Sequence, residues 1–200
     1  MRATMLATAL WITVPGGFRV AVAPPDDPAP AEARLWITGS SNIRRFTCRA
    51  GGVSGYVALR ADASAGVTLA GKNTSNAPSL VIPLSQLDCG IGRMNRHLRE
   101  AMRAAEYPSV NFGLDRYEAS VGGDVPTVRV VGRVAIAGVE QPVVLDARLT
   151  ADSLGVLHMQ GVHVVRMTDF GIAPPRRFGG LLKVRDQITV HFDVVPATFY

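Results

Sequence analysis

The feature that most restricts this chain is a period-two alternation of apolar and polar side chains that runs through its second half. Val110, Phe112 and Leu114 alternate with Asn111, Gly113 and Asp115. Val128, Val130, Val134 and Ile136 alternate with Arg129, Val131, Arg133 and Ala135. The same rhythm sets Val143, Leu145, Ala147 and Leu149 against Val144, Asp146, Arg148 and Thr150, and Ile188, Val190, Phe192 and Val194 against Thr189, His191, Asp193 and Val195. Successive side chains of a strand point to opposite faces, so each segment reads as a strand with one apolar and one wet face. Strands covered by helices on both sides would be continuous apolar runs, so a parallel α/β sheet is excluded. About eight antiparallel strands of this kind either stack as a two-sheet sandwich or roll into a barrel. The long strands Thr127 to Ala137 and Val139 to Ala151, joined at Gly138, favour closure, because a barrel leaves no edge open to aggregation.

Upstream the elements are shorter. Arg34 to Thr38 and Asn42 to Arg49 flank Gly39-Ser40-Ser41, Ser54 to Arg60 follows Gly51-Gly52, and the small, polar stretch Ala61 to Pro78 reads as a long loop. Ser79 to Leu87 reads as another strand. One helix is predicted over Met94 to Glu106, where Met94, Leu98, Ala101, Met102 and Ala105 form one apolar stripe suited to covering a barrel. Its opposite face carries Arg96, Arg99 and Arg103, which reads as a solvated face, the less common alternative being contact with anionic lipid. Tyr107-Pro108 should end it, because a residue before proline is pushed out of the helical region.

The first residues look like an export signal. Arg2 precedes the apolar run Met5 to Val14, and Ala21-Val22-Ala23 supplies the small-x-small pattern of a processing site. The run is too short to span hydrocarbon, which takes about 20 apolar residues. The expected organisation is a signal over 1–23, a proline-rich spacer over 24–33 and one domain over 34–200, in the periplasm or outside the cell. Arg19 and Pro24 fit the first cleavage position poorly, and Ala31-Glu32-Ala33 offers a later one. The formal net charge of +5 shrinks once Arg2 and Arg19 leave with the signal. The remaining basic residues alternate along strands instead of clustering with aromatics, so nucleic acid is not an expected partner. In an oxidising compartment Cys48 and Cys89 are expected to pair, the alternative being two buried thiols.

Motifs for chemistry are lacking. His158 and His163 stand an odd number of positions apart in one strand and cannot chelate an ion together, so no metal site is expected. There is no G-x-S-x-G elbow, no GxGxxG after a strand and no phosphate-binding loop of the GxxxxGK[ST] type, so neither a catalytic role nor a nucleotide cofactor is expected.

Five ordered landmarks resemble the YceI-like family. They are Leu35-Trp36-Ile37-x-Gly39-Ser40-Ser41; Leu84 to Cys89 followed by Met94-Asn95; Ala105 to Phe112 (AEYPSVNF); Val131-Gly132-Arg133-Val134-x-Ile136-x-Gly138-Val139; and Arg166-Met167-Thr168-Asp169-Phe170-Gly171-Ile172, with Asp186-Gln187-Ile188-x-Val190 as the closing strand. Met167 intrudes into the family's arginine-threonine-aspartate run, and Asn95 stands where an acidic residue is usual.

The resemblance implies an all-β fold, an extended eight-stranded antiparallel lipocalin-like barrel with one covering helix. It also implies a periplasmic carrier or store for a polyisoprenoid or another long-chain amphiphile, in transient contact with a membrane. The inward positions expected to touch that lipid are Phe46 and Ile82 in the first half; Val110, Phe112 and Leu114; Val130, Val134 and Ile136; Leu145 and Val164; and Phe170, Ile188, Val190 and Phe192. Short inward residues such as Gly132 and Ala147 would leave room for the chain. Arg166 and Asp169 are candidates for the lipid head group, with turn capping as the favoured reading. Two other readings of the same pocket are a lipid-modifying enzyme and a ligand-free accessory to a membrane redox partner.

Overall fold

The computed structural model describes residues 10–13, 19–22, 33–55, 58–60, 68–72, 80–120, 125–195 and 197–199. Ten strands make one antiparallel path. In chain order they are β1 (Ala33–Ser41), β2 (Arg45–Ala50), β3 (Ser54–Gly55), β4 (Leu80–Pro83), β5 (Leu87–Asp88), β6 (Ser109–Ser120), β7 (Thr127–Ile136), β8 (Val139–Ala151), β9 (Leu157–Arg166) and β10 (Leu182–Val194). Hydrogen bonds order them β3-β4-β6-β7-β8-β9-β10-β1-β2-β5. The sheet curls into a lipocalin-type half-barrel, and its two ends are carried by one stretch of chain. β4 pairs with β6, while β5, three residues later, pairs with β2.

The count of ten, where eight were expected, follows from that stretch. The strand expected over Ser79 to Leu87 is broken by a 3-10 turn at Leu84–Gln86, which bends the chain from one end of the sheet to the other. Leu84 and Leu87 anchor the corner and are almost wholly buried. β1 also runs through Gly39-Ser40-Ser41, and the turn comes only at 42–44. The expected loop over Ala61 to Pro78 contains a strand, Thr68–Lys72, paired with the C-terminal half of β6. The signal expected over 1–23 lies largely outside the described residues. Within it Leu10–Thr13 and Arg19–Val22 pair as an antiparallel ribbon.

The alternation survives in three dimensions, with one phase change. In β6, Phe112 and Leu114 face inward, then a bulge between Leu114 and Arg116 shifts the register so that Tyr117 and Ala119 face inward next. At this end of the barrel Tyr117, Ala119, Val128, Ala147, Leu149 and Val194 close into a packed core. β7 and β8 meet in a two-residue hairpin turn with Ala137 and Gly138 both at positive φ, 51° and 84°. That conformation matches the twist of the flanking strands.

The helix, α1, covers Gly92–Ala101, starting two residues before the predicted span and ending five before its predicted stop. It ends in a Schellman motif, in which Ala104 N–H donates to Arg99 O (2.9 Å) and Arg103 N–H to Glu100 O (3.1 Å). The left-handed position is taken by Arg103, φ 53°, instead of glycine. Arg103 Nη2 donates to Glu106 (2.5 Å) and its guanidinium lies over the Tyr107 ring at 4.8 Å. Those contacts hold a conformation that no glycine announces in the sequence.

Candidate functional site

At the end away from the packed core the walls stand apart around a cavity of about 610 Å³. That is in the range of about 300–1,000 Å³ typical of small-molecule pockets. Its walls are overwhelmingly apolar. β7 and β8 contribute Val130, Val134, Ile136 and Leu145; β6 contributes Val110 and Phe112; β10 contributes Ile188, Val190 and Phe192. Phe46, Ile82 and Phe170 complete the set of expected positions that the fold brings together around this space.

Four expected positions stand elsewhere. Leu114 is buried in the packed core beyond the cavity floor. Val164 points outward and is 54% exposed, as is Val162 at 57%, whereas His163 and Val165 line the cavity. The phase of β9 is the opposite of that expected because this strand has valines on both faces and its one inward polar residue, His163, looks like a surface residue. Burial pushes the His163 imidazole below its ordinary pKa of 6.5. Arg166 and Asp169 are exposed and do not line the cavity. The turn they flank is capped from the next strand, where Asp186 accepts from Thr168 N–H (3.0 Å) and Thr168 Oγ1 (2.7 Å). Those bonds hold the Asp186 carboxyl below the usual carboxylate range, with Arg166 adding a smaller electrostatic pull.

The cavity stays open because of how its phenylalanines lie. An added Cβ on Gly39 would meet the Phe46 ring at 2.4 Å, one on Gly132 the Phe112 ring at 2.9 Å, and one on Gly161 the Phe192 ring at 2.3 Å. The outer edge of each ring therefore reaches over a glycine of the adjacent strand, along the wall. Three large side chains are accommodated while the space between the walls is kept.

α1 forms the lid. Met94, Leu98, Ala101 and Met102 face the cavity, and no helix residue is fully buried, because much of what the apolar stripe meets is open space. The lid is fastened at its N-terminal side. A disulfide joins Cys48 of β2 to Cys89, just after β5. Asn95 on the first turns of α1 accepts from Cys89 N–H (2.7 Å) and donates to Asp88 (2.8 Å), which also accepts from Gly90 N–H (2.9 Å). With these two bonds and nearby Arg49, the Asp88 carboxyl is held below its ordinary pKa. Asn95 thus clasps the helix to the bridged strands, a role its sequence position did not disclose. Among the described residues no cluster of His, Cys, Asp and Glu could hold a metal ion, and no helix is long and apolar enough to cross a membrane.

The YceI-like domain family matches residues 30–196. Solved structures that share the fold include the following two. One is BcnA of Burkholderia cenocepacia, 14% identical over 82% of this chain and 95% of that one, with a TM-score of 0.57. The other is a polyisoprenoid binding domain from Saccharophagus degradans, 16% identical over the same shares, with a TM-score of 0.56. No curated protein matches the sequence.

Proposed function

The chain belongs to the YceI-like family, and from that premise we propose that its cavity holds a polyisoprenoid or similar long-chain amphiphile and carries it without altering it. The observation that supports this reading best is the open, apolar space of about 610 Å³ between the barrel wall and the helix. Each methylene removed from water there contributes about 0.8 kcal/mol, so a short length of hydrocarbon suffices for useful affinity. The solved relative from Saccharophagus degradans is described as a polyisoprenoid binding domain, which points to the same class of ligand.

A carrier without chemistry also suits the groups that line the space. Cys48 is tied up in the disulfide. The Ser41 hydroxyl donates to Arg44 O (3.1 Å) and accepts from the N–H groups of Ile43 and Arg44, so it serves the β1–β2 turn. No cofactor is required. The disulfide favours an exported protein, since such bridges persist in oxidising compartments. Ligand exchange at a membrane surface is supported by the rim beside α1, where Ile43, Leu181 and Ile91 are 67%, 76% and 44% exposed. Asn42 joins the first two of these loops through bonds to Leu181 O and Lys183 N–H.

Native mass spectrometry and organic extraction of freshly purified protein test the reading. The expected result is a co-purifying lipid of unchanged structure. Its occupancy should fall with Val134→Glu, inside the cavity, and hold with Val164→Glu, on the outer face. Empty protein after exposure to lipid extract, or equal loss in both variants, would count against it.

A further inference from the structure

We propose that the amphiphile in this cavity carries an anionic head, a carboxylate or a phosphate, seated between Arg44 and Arg93 at the helix end of the barrel. This rests on the lipid-holding reading above and narrows it to a ligand class.

The argument begins with the sign of the charges. Among the described residues that line the cavity, the ionisable ones are Arg34, Arg44, Arg93, His97 and His163, and none is an Asp or Glu. A purely apolar ligand needs no such bias, and a head of positive charge would be repelled by it. Three arginines outside the cavity lining are tied up in ion pairs. Arg103 meets Glu106, Arg129 meets Asp146, and Arg133 meets Asp115 and Glu140. Among the described residues Arg44 and Arg93 have no such ion-pair partner.

The fold brings these two arginines to one rim. Arg44 ends the β1–β2 turn. Arg49 and Ala50 of β2 are opposite Asp88 and Leu87, and the disulfide locks Cys48 to Cys89, so the chain beyond β5 runs back along β2 toward Arg44. α1 starts there at Gly92 and places Arg93 in its first turn, with His97 one turn further along the same cavity-facing side. A guanidinium is a permanent charge with a planar fork of donors, which matches carboxylate and phosphate oxygens. The remaining arginine, Arg34, is a single charge at the other end of β1, opposite Asp193 in the strand register, and that carboxylate is bonded to His158 and Gln160. The helix end therefore favours an anion more strongly. A head fixed at that rim leaves the tail to run along Val190 and Phe192 toward the packed end.

The test uses delipidated protein and a fluorescent lipid probe displaced by three ligands of equal chain length: hexadecanoate, hexadecyl phosphate and hexadecan-1-ol. The expected result is that one or both anions bind at least tenfold more tightly than the alcohol, and that Arg44→Gln with Arg93→Gln lowers this ratio at least fivefold. Arg96→Gln, on the exposed outer side of α1, should leave the ratio unchanged. Reading the ratio separates loss of the head-group site from loss of folding. Displacement by the alcohol as tightly as by both anions, or a double variant that keeps the preference, overturns the proposal while the lipid-holding reading stands. If none of the three displaces the probe, both fall.

Discussion

At the residue scale the decisive contacts are those between phenylalanine rings and glycines on the barrel wall. Phe46, Phe112 and Phe192 occupy positions that alternation alone marks as inward, and inward aromatics would ordinarily fill a small barrel. They do not fill this one because Gly39, Gly132 and Gly161 leave room for the ring edges to reach over the backbone. We therefore expect Gly39→Ala to push the Phe46 ring into the lumen, lowering lipid occupancy in native mass spectra more than it lowers the melting temperature. His163 carries a second residue-scale prediction. Its pKa is depressed by burial in the folded state, so the unfolded chain binds the proton more readily. Above the ordinary value of 6.5 the ring is neutral in both states, and stability falls as pH drops below that value toward the folded one. Urea unfolding midpoints at pH 7.5 and 5.0 should show His163→Leu losing less stability over this window than the parent. The depressed carboxylates Asp88, Asp146, Asp152 and Asp186 act in a separate window, their contribution being lost below about 3.8.

Among the elements, α1 and the corner before it set the behaviour of the site. The helix was legible as an amphipathic stripe, because Met94, Leu98, Ala101 and Met102 recur at helical spacing and all four face the cavity. Its end was not legible, because the stop signal is Arg103 in a left-handed conformation held by Glu106 and Tyr107, contacts that exist only after the chain has turned. The strand over Ser79 to Leu87 was recognised as extended chain, but its break at Leu84–Gln86 depends on where the two ends of the sheet meet. The disulfide spans a sequence separation of 41 and fastens the strand leading into the lid. In the chain-entropy model closing such a loop contributes about 4 kcal/mol. Cys48→Ser with Cys89→Ser should accordingly lower the melting temperature of oxidised protein, and thermal unfolding by circular dichroism measures it. An equal melting temperature would mean the bridge contributes nothing to the folded state.

For the whole molecule, one end of the barrel is a packed core and the other a lidded space, and this asymmetry is what leaves a hollow inside a curled β-sheet. Twelve of the positions expected inside do surround the cavity. Leu114 fell in the packed end because depth along a strand has no periodic signature. Val164 faced out because in β9 both faces carry valine, so hydrophobicity could not choose the phase. His97, His163 and Arg93 went unnoticed as cavity residues for the converse reason, since charged or titratable side chains are usually placed in water. Arg44 and Arg93 are far apart in the chain, and only the β2–β5 pairing and the disulfide bring them to one rim. What the sequence by itself determined is the kind of wall: side chains that alternate with period two commit each segment to one oily and one wet face. What only the tertiary structure decided is the hollow. Whether opposing faces touch or stand apart depends on where bulges shift the register, where rings reach over glycines and where a helix comes to rest, and each of these is a long-range contact with no local trace in the chain.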